Sequence, residues 1–225
     1  MALLVPSLVA ADFGRLGEAL QVIKAAGAKM VHVDIMDGHF VPDISLGPPV
    51  FASLRRATDL VMDVHLLMEH PERYLEEFIE RGADRVSFQA EATPHLRRVA
   101  DAIRERGAQA GVALNPGTSL ALAEEVLEDI DFLVLLTAEP GLKEGTLVPT
   151  AAQKIRDAAR KRTSSRLNFQ IQAEGGITPA KLEDLVRAGA DILVAGSAIF
   201  HNGDPGARLA EMIRQASVAL DTSRA

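Results

Sequence analysis

The sequence contains no cysteine. Disulfides, thiolate metal ligands and thiol nucleophiles are therefore excluded, and the composition fits a reducing compartment. The sequence also lacks an excess of basic residues, because its formal net charge is −7 at pH 7. A chain of this charge argues against nucleic acid as a partner.

Long hydrophobic runs are absent as well: no stretch reaches the about 18 apolar residues that cross a membrane. The segment Met1–Pro6 is apolar, but it is shorter than a signal peptide and lacks the basic residues with which one begins. We therefore expect no membrane partner and a cytoplasmic protein. Apolar residues make up 48% of the chain, which is enough to bury a sizeable core.

One short pattern recurs, in which a glycine ends an amphipathic stretch and a β-branched run follows. Its four examples are Ala26-Gly27-Ala28-Lys29, Arg81-Gly82-Ala83-Asp84, Arg106-Gly107-Ala108-Gln109 and Ala188-Gly189-Ala190-Asp191. This is how a helix ends on a left-handed glycine and gives way to a strand. Interpreting the rest of the chain in the same way gives eight strand–helix units.

The predicted strands lie near 2–6, 30–35, 60–66, 85–89, 110–114, 131–136, 168–173 and 191–195. The predicted helices lie near 12–26, 48–56, 71–81, 94–106, 119–127, 149–162, 179–188 and 204–219. Strands that alternate with helices indicate a parallel sheet, and barrels of this kind usually have about 250 residues. We predict an α/β fold, a single-domain (β/α)8 TIM barrel over residues 1–220 with a frayed tail at 221–225. An open doubly wound sheet is the alternative, although no G-x-G-x-x-G follows the first strand.

Polar residues that can bind a metal lie where three of these strands approach the barrel mouth. His32 and Asp34 are two apart on the second strand and so share a face; His65 belongs to the third strand and Glu174 to the seventh. Two imidazoles and two carboxylates suit one divalent metal ion such as Zn, Fe, Mn or Co. Buried ion pairs are the alternative interpretation. Asp63 either orients a ligating histidine or forms a salt bridge facing the helices.

A second group of residues follows the seventh and eighth strands. Gly175 and Gly176 follow one, and Gly196 and Ser197 follow the other. Phosphate sites in these barrels are commonly built from these two loops and a short helix, for which 197–200 is the candidate. The alternative is that these glycines only form tight turns.

A metal beside two carboxylates, together with a phosphate site, favours proton abstraction next to a carbonyl group. Asp34 and Glu174 are the predicted catalytic pair, since the second and seventh strands lie on nearly opposite walls of an eight-strand ring. One carboxylate on each side of the substrate plane gives epimerisation.

Several motifs resemble those of the ribulose-phosphate 3-epimerase family, in order and over nearly the whole chain. They are Val5-Pro6-Ser7, Ala11-Asp12-Phe13, the segment Val31–Pro42, Leu46-Gly47-Pro48-Pro49, Asp63-Val64-His65-Leu66 and the segment Gly196–Phe200. The resemblance implies a (β/α)8 barrel that interconverts D-ribulose 5-phosphate and D-xylulose 5-phosphate. It also implies a divalent metal held by His32, Asp34, His65 and Glu174, with the two acids transferring protons.

The same resemblance implies the substrate contacts. Ser7 and His65 would contact the sugar, and the glycine loops of the seventh and eighth strands would hold the phosphate. Gly141, after the sixth strand, is also expected to contact the substrate. Family members are often dimers or hexamers, so we expect a homo-oligomer whose small-molecule partner is a sugar phosphate.

The sequence departs from the family pattern at several positions. Glu174 replaces an aspartate, and its extra methylene moves the carboxylate by about 1.5 Å, one carbon–carbon bond. The other departures are Lys143 and Glu144 for two glycines of the sixth loop, Gln89 for a histidine, Ala10 for a serine, and Leu67 and Leu136 for two methionines. Because the metal positions still hold competent ligands, these changes indicate a different substrate preference rather than a lost activity.

Three alternative functions remain open at this point. A related enzyme would epimerise a hexulose 6-phosphate. A hexulose-phosphate aldolase or synthase on the same barrel would need a Lys or His near the bond that breaks, for which Lys143 is the candidate. A weakly active phosphosugar binder would keep the binding site but convert its ligand slowly or not at all.

Overall fold

A computed structural model describes residues 2–141, 146–201 and 203–221, and the side chains of residues 218–221 are outside the description. In these ranges eight parallel strands form one sheet. The strands are β1 (Leu3–Pro6), β2 (Met30–Met36), β3 (Val61–Leu67), β4 (Arg85–Gln89), β5 (Gln109–Leu114), β6 (Phe132–Leu136), β7 (Gln170–Glu174) and β8 (Ile192–Ala195).

Helices on the outside of the sheet connect most of these strands. They are α1 (Leu16–Ala25), α2 (Pro48–Ala57), α3 (Leu75–Glu80), α4 (Leu96–Glu105), α5 (Ala151–Ser164), α6 (Pro179–Ala188), α7 (Ser197–Phe200) and α8 (Pro205–Asp221). The short helix expected over 197–200 is therefore present as α7.

The strand order is β1-β8-β7-β6-β5-β4-β3-β2. Neighbouring strands in this order are consecutive in the chain, except that the first strand, β1, pairs with the last, β8. A parallel bridge between Ser7 and His32 joins β1 to β2 and closes the ring. The predicted (β/α)8 barrel is thus confirmed, and the alternative prediction of an open doubly wound sheet is wrong. Closure places the carboxyl ends of all the strands around one mouth.

The β2 sequence shows how the barrel sorts its side chains. Val31, Val33 and Ile35 belong to the main apolar cluster between sheet and helices. His32 and Asp34 alternate with them and are buried inside the ring. Because alternate residues of a strand face opposite sides, the apolar outer face fixes the inward direction of the polar pair.

The predicted helix near 119–127 is wrong in type. This segment instead forms two 3-10 turns, Leu120–Leu122 and Glu124–Val126. Its backbone hydrogen bonds join residues three apart, from Ala123 N to Leu120 O and from Val126 N to Ala123 O, which is the pattern of a 3-10 helix rather than of an α-helix. The predicted helix at 12–26 is also shorter, since Phe13–Arg15 is a 3-10 turn and α1 begins at Leu16.

The C-terminal helix α8 extends to Asp221, one residue into the predicted tail. The domain boundary at 220 stays a prediction, and the rest of the tail, 222–225, lies outside the described residues. So do Lys143 and Glu144 of the sixth loop. Within the described part of the chain, none of the helices combines the length and apolar character that crossing a membrane requires.

Candidate active site

Four side chains meet inside the barrel near its mouth. The Nε2 of His32 lies 3.1 Å from Asp34 Oδ1 and 3.3 Å from Glu174 Oε2. The Nδ1 of His65 lies 3.1 Å from Glu174 Oε1 and 3.6 Å from Asp34 Oδ1. All four side chains are buried, and one donor atom from each lies within 4.8 Å of the others. The residues that the sequence predicted to share a metal ion are therefore brought together.

The distances among these atoms fit a metal centre. Ligand bonds of about 2.0–2.2 Å in a tetrahedral site put neighbouring donors about 3.3–3.6 Å apart. The four imidazole–carboxylate distances run from 3.1 to 3.6 Å. Glu174 Oε2 is moreover buried and, within the described part of the chain, has no hydrogen-bond partner, although His32 Nε2 is near it. An unpaired buried carboxylate oxygen is costly unless a cation satisfies it, so the donor set fits a divalent ion.

The extra methylene of Glu174 does not remove its carboxylate from this group. Each carboxylate oxygen faces a different imidazole nitrogen. The backbone below it is fixed by Thr137, whose hydroxyl donates to the carbonyls of Glu174 and Gly175. The longer side chain therefore spans both histidines from the end of β7.

Asp63 supports His32 from inside the barrel. Its Oδ2 lies 2.7 Å from His32 Nδ1 and also accepts from Gln172 Nε2 at 2.9 Å. A hydrogen on Nδ1 leaves the lone pair of Nε2 directed at the two acids, which is the arrangement of a carboxylate–histidine–metal site. Of the two interpretations of Asp63, the orienting one describes this structure.

A buried arginine holds Asp63 in turn. Arg85 Nε donates to Asp63 Oδ1 at 3.2 Å, and its guanidinium carbon lies 3.9 Å from the centre of the Phe132 ring. Its other nitrogens donate to the side-chain oxygens of Gln109, Gln170 and Gln172. The Arg85 side chain is 4% exposed, so its charge and that of Asp63 neutralise each other within the barrel.

Sequence reasoning missed Arg85, although a signal was present. On β4 the polar residues Arg85, Ser87 and Gln89 alternate with apolar ones, and the register pairs Arg85 with Asp63 on β3. When polar residues occupy every second position of a barrel strand, they share one face, and the apolar residues between them face the helices. The pattern therefore indicates that Arg85, Ser87 and Gln89 point into the barrel.

The charges of these four side chains shift the pKa values of their neighbours within the group. Burial alone would lower the pKa of His65, but the charge of Glu174 and the hydrogen bonds of Asp34 and Glu174 raise it to about 9. Burial likewise opposes the charge on Asp34, yet the charge and hydrogen bond of His32 lower its pKa well below the usual value. Without a metal the site therefore favours imidazolium–carboxylate pairs.

These shifts predict the pH dependence of the metal-free protein. The stabilisation from His65 is complete below its unfolded pKa of about 6.5 and is lost as the pH rises through about 9. Chelator-treated protein should therefore lose about 3 kcal/mol of unfolding free energy over this interval, measurable by urea denaturation. In the His65→Gln variant the decrease should be smaller, and an equal decrease would contradict the assignment.

A cavity of about 470 Å³ opens from this group to the barrel mouth. Asp34 and Glu174 line it, whereas His32 and His65 are fully buried behind them. The predicted substrate-contacting residues that line it are Ser7, Gly141, Gly175, Gly176, Gly196 and Ser197. The hydroxyl of Ser7 donates to Asp34 Oδ2 at 2.8 Å, so in this structure it orients the acid. His65 is not among the residues that line the cavity, and its predicted contact with the sugar stays a prediction.

Neighbouring residues pack so closely against the glycine loops that a side chain there would be in tight contact with them. Gly175 has a φ of +101°, and a Cβ there would lie 3.1 Å from the backbone nitrogen of Ala138. A Cβ on Gly196 would lie 3.0 Å from Ala10 Cβ. Sequence reasoning missed Asp43, Ile44 and His201, which also line the cavity from loops. Loop residues carry no periodicity that would reveal where they point.

The fold and site together define a (β/α)8-barrel protein with a buried two-histidine, two-carboxylate group at the mouth of the barrel. A sequence model described as "Ribulose-phosphate 3 epimerase family" matches residues 3–200. The chain belongs to this family. The predicted family membership is thereby confirmed, as is the prediction of an isomerase-class enzyme.

Individual relatives match over most of their length. Ribulose-phosphate 3-epimerase of Bacillus subtilis is 38% identical over 208 residues, covering 92% of this chain and 96% of that protein. A protein of the same name from Mycobacterium tuberculosis is 39% identical over 217 residues, covering 96% of this chain and 94% of the relative. A relative from Arabidopsis thaliana, named ribulose-5-phosphate-3-epimerase, chloroplastic, is 42% identical over 197 residues, covering 87% of this chain and 70% of its own.

Solved structures of lower identity share the fold. A structure of KGPDC from Streptococcus mutans superposes with a TM-score of 0.78 at 14% identity, covering 97% of this chain and 98% of that one. Orotidine 5'-phosphate decarboxylase from Pyrococcus horikoshii gives a TM-score of 0.68 at 18% identity, covering 96% of this chain and 99% of that one. These similarities support the barrel alone.

Proposed function

We propose that this chain is a divalent-metal-dependent epimerase that interconverts D-ribulose 5-phosphate and D-xylulose 5-phosphate at C3. The observation that carries the proposal is the pair Asp34 and Glu174, which line one cavity from β2 and β7 and share two buried imidazoles. Family membership and the names of the relatives support the substrate.

His32, Asp34, His65 and Glu174 would hold the metal, and their donor types suit Zn, Fe, Mn or Co. When bound, the ion would polarise the C2 carbonyl and stabilise negative charge on the neighbouring oxygens. Besides supplying the metal ligands, the chain orients two of them through hydrogen bonds. Asp63 fixes the His32 ring, and Ser7 fixes Asp34 through the hydroxyl hydrogen bond.

Asp34 and Glu174 would transfer the protons. One carboxylate removes the C3 proton, and the C3–H electron pair becomes part of an enediolate across C2 and C3. The other acid, protonated, returns a proton to C3 from the opposite face and becomes the carboxylate. The roles exchange in the reverse direction, so atoms and charge balance. The lowered pKa of Asp34 keeps this carboxyl group ionised in the metal-free protein.

The substrate phosphate would lie at the glycine loops of β7 and β8. Gly175, Gly176 and Gly196 line this side of the cavity, and as glycines they have no side chain that would cover their backbone. Loops in these positions are the usual phosphate site of such barrels. The phosphate would thus anchor the far end of the sugar while C3 reaches the acids.

An aldolase that forms a Schiff base is less favoured by the described residues. No described lysine lines the cavity. Lys154 is instead fixed by the carbonyls of Asn115, Pro116 and Thr118 at 2.9, 2.6 and 2.6 Å. An ammonium group with its three donors engaged is unsuited to attack a carbonyl.

Hydrogen exchange at C3 tests the proposal. In deuterium oxide, metal-loaded protein should convert D-ribulose 5-phosphate to the xylulose isomer with one deuterium incorporated at C3, detected by NMR. Chelation should abolish this exchange, and a divalent ion should restore it. Absence of exchange would contradict the epimerase, and release of a smaller fragment would indicate an aldolase.

The same assay separates the substrates. A panel of ketose phosphates should give a higher kcat/KM for the pentulose phosphate than for a hexulose 6-phosphate, and the reverse order would assign the other epimerase. Full activity of chelated, metal-depleted protein would refute the metal. Oligomeric state and a cytoplasmic location stay predictions.

A further inference from the structure

His65 has a neighbour at each ring nitrogen. Its Nδ1 faces Glu174 Oε1 and Asp34 Oδ1, as described above. Its Nε2 lies 3.1 Å from the amide nitrogen of Gln89, at the end of β4. His65 and Gln89 are both fully buried, so water does not substitute for this contact. The amide of Gln89 is therefore positioned to influence which ring nitrogen carries the hydrogen.

The amide has one unsatisfied atom in this orientation. Gln89 Oε1 is buried and has no hydrogen-bond partner among the residues that the structure describes. A buried acceptor without a donor costs free energy, and native structures contain few of them. An amide nitrogen facing Nε2 suits only a neutral His65 with its hydrogen on Nδ1, because Nε2 must then accept from the amide. Neither the imidazolium that the metal-free site favours nor a metal-bound ring has this arrangement, because both carry a hydrogen on Nε2.

A metal at Nδ1 requires the opposite arrangement. A neutral imidazole carries one hydrogen, so a lone pair on Nδ1 places that hydrogen on Nε2. Nε2–H would then face the amide NH2, and two donors would oppose each other. Turning the amide by half a rotation exchanges its oxygen and nitrogen, which have nearly the same shape. Oε1 then accepts from Nε2–H, and the unpaired acceptor is satisfied.

We propose that Gln89 is a positioning residue whose Oε1 accepts a hydrogen bond from His65 Nε2 and so keeps the Nδ1 lone pair directed at the metal. This inference rests on the proposed metal dependence. It makes the two histidines unequal, because His32 is paired with the carboxylate of Asp63 and His65 with a neutral carboxamide. Such outer partners typically change metal affinity by about 10- to 100-fold when they are removed.

Metal affinity in three variants tests the inference. Gln89→Met has similar size but neither donates nor accepts strongly, and Gln89→Glu is an acceptor when ionised. Ser87→Ala is the matched control, since Ser87 is buried two residues earlier on β4 and its hydroxyl makes only one contact with the described residues, 3.5 Å from Val64 O. The readout is the Kd for Zn²⁺, measured by competition with a chromophoric chelator, with circular dichroism to verify folding.

We expect Gln89→Met to bind Zn²⁺ about 10- to 100-fold more weakly than wild type. Gln89→Glu should bind at least as tightly as wild type, and Ser87→Ala should be unchanged. Weakening in both Gln89 variants would show that donation or packing matters instead, and wild-type affinity in Gln89→Met would show no role; either result overturns the inference.

NMR of the histidine ring nitrogens in the Zn²⁺-loaded wild type supplies a readout that does not depend on any variant. The hydrogen of His65 should be on Nε2, and a hydrogen on Nδ1 overturns the inference. Wild-type protein that binds no Zn²⁺, Fe²⁺, Mn²⁺ or Co²⁺ would overturn the proposed metal dependence and this inference together. Tight metal binding that is indifferent to Gln89 would overturn only the latter.

Discussion

Replacing Glu174 with glutamine is expected to lower kcat for C3 epimerisation by about 10²- to 10⁴-fold, the usual contribution of a positioned acid or base. The amide keeps the size of the side chain but neither gives nor takes a proton at C3. It also removes one anionic partner of His65, which lies 3.1 Å away. The measurement is the steady-state rate with saturating divalent metal, together with deuterium incorporation at C3.

A charge-matched variant controls for this result. Glu183→Gln on α6 removes a carboxylate that pairs with Arg187 at the surface, outside the cavity. Its rate should equal that of wild type. Glu174→Gln with wild-type kcat, measured on protein shown to be folded and metal-loaded, would remove Glu174 from the proton-transfer pair.

The largest loss of stability is expected from Arg85→Met. Removing the guanidinium leaves Asp63 buried with its Oδ1 deprived of a charged donor. Breaking a buried ion pair from one side typically costs about 3–5 kcal/mol. Urea denaturation of metal-free protein should show a decrease of this size in the free energy of unfolding.

The double variant Asp63→Asn/Arg85→Met provides the comparison. Because it removes both charges, it should be destabilised by less than the sum of the two single variants, and the difference gives their coupling. Additive losses, or a loss below about 1 kcal/mol in Arg85→Met, would show that the pair contributes no more than a surface ion pair.

The fold was predictable because its signal is repeated. Glycine-terminated helices followed by β-branched strands occur throughout the chain, so an error in one unit does not change the architecture. The segment 119–127 illustrates such an error, since its leucines and alanines suit an α-helix whereas its backbone hydrogen bonds join residues three apart in two 3-10 turns. Tertiary packing overrides helix propensity there.

The site was predictable to the extent that strands carry it. The spacing of His32 and Asp34 fixes their common face, and β3 and β7 place His65 and Glu174 beside them. Arg85 was missed because a basic residue at a predicted strand start suggests solvent. The orientation of the Gln89 amide was beyond prediction, since it depends on which atoms of His65 and its neighbours lie within a few ångströms.

The donors of the central group all belong to strands, whereas much of the cavity wall, including Asp43, Gly141 and His201, belongs to loops. Strands tied into a closed ring hold their geometry, and loops tolerate replacement. Evolution can therefore exchange the recognition surface while inheriting the reactive centre intact. For protein engineering, the barrel offers a scaffold on which new sugar selectivity is introduced by loop redesign alone.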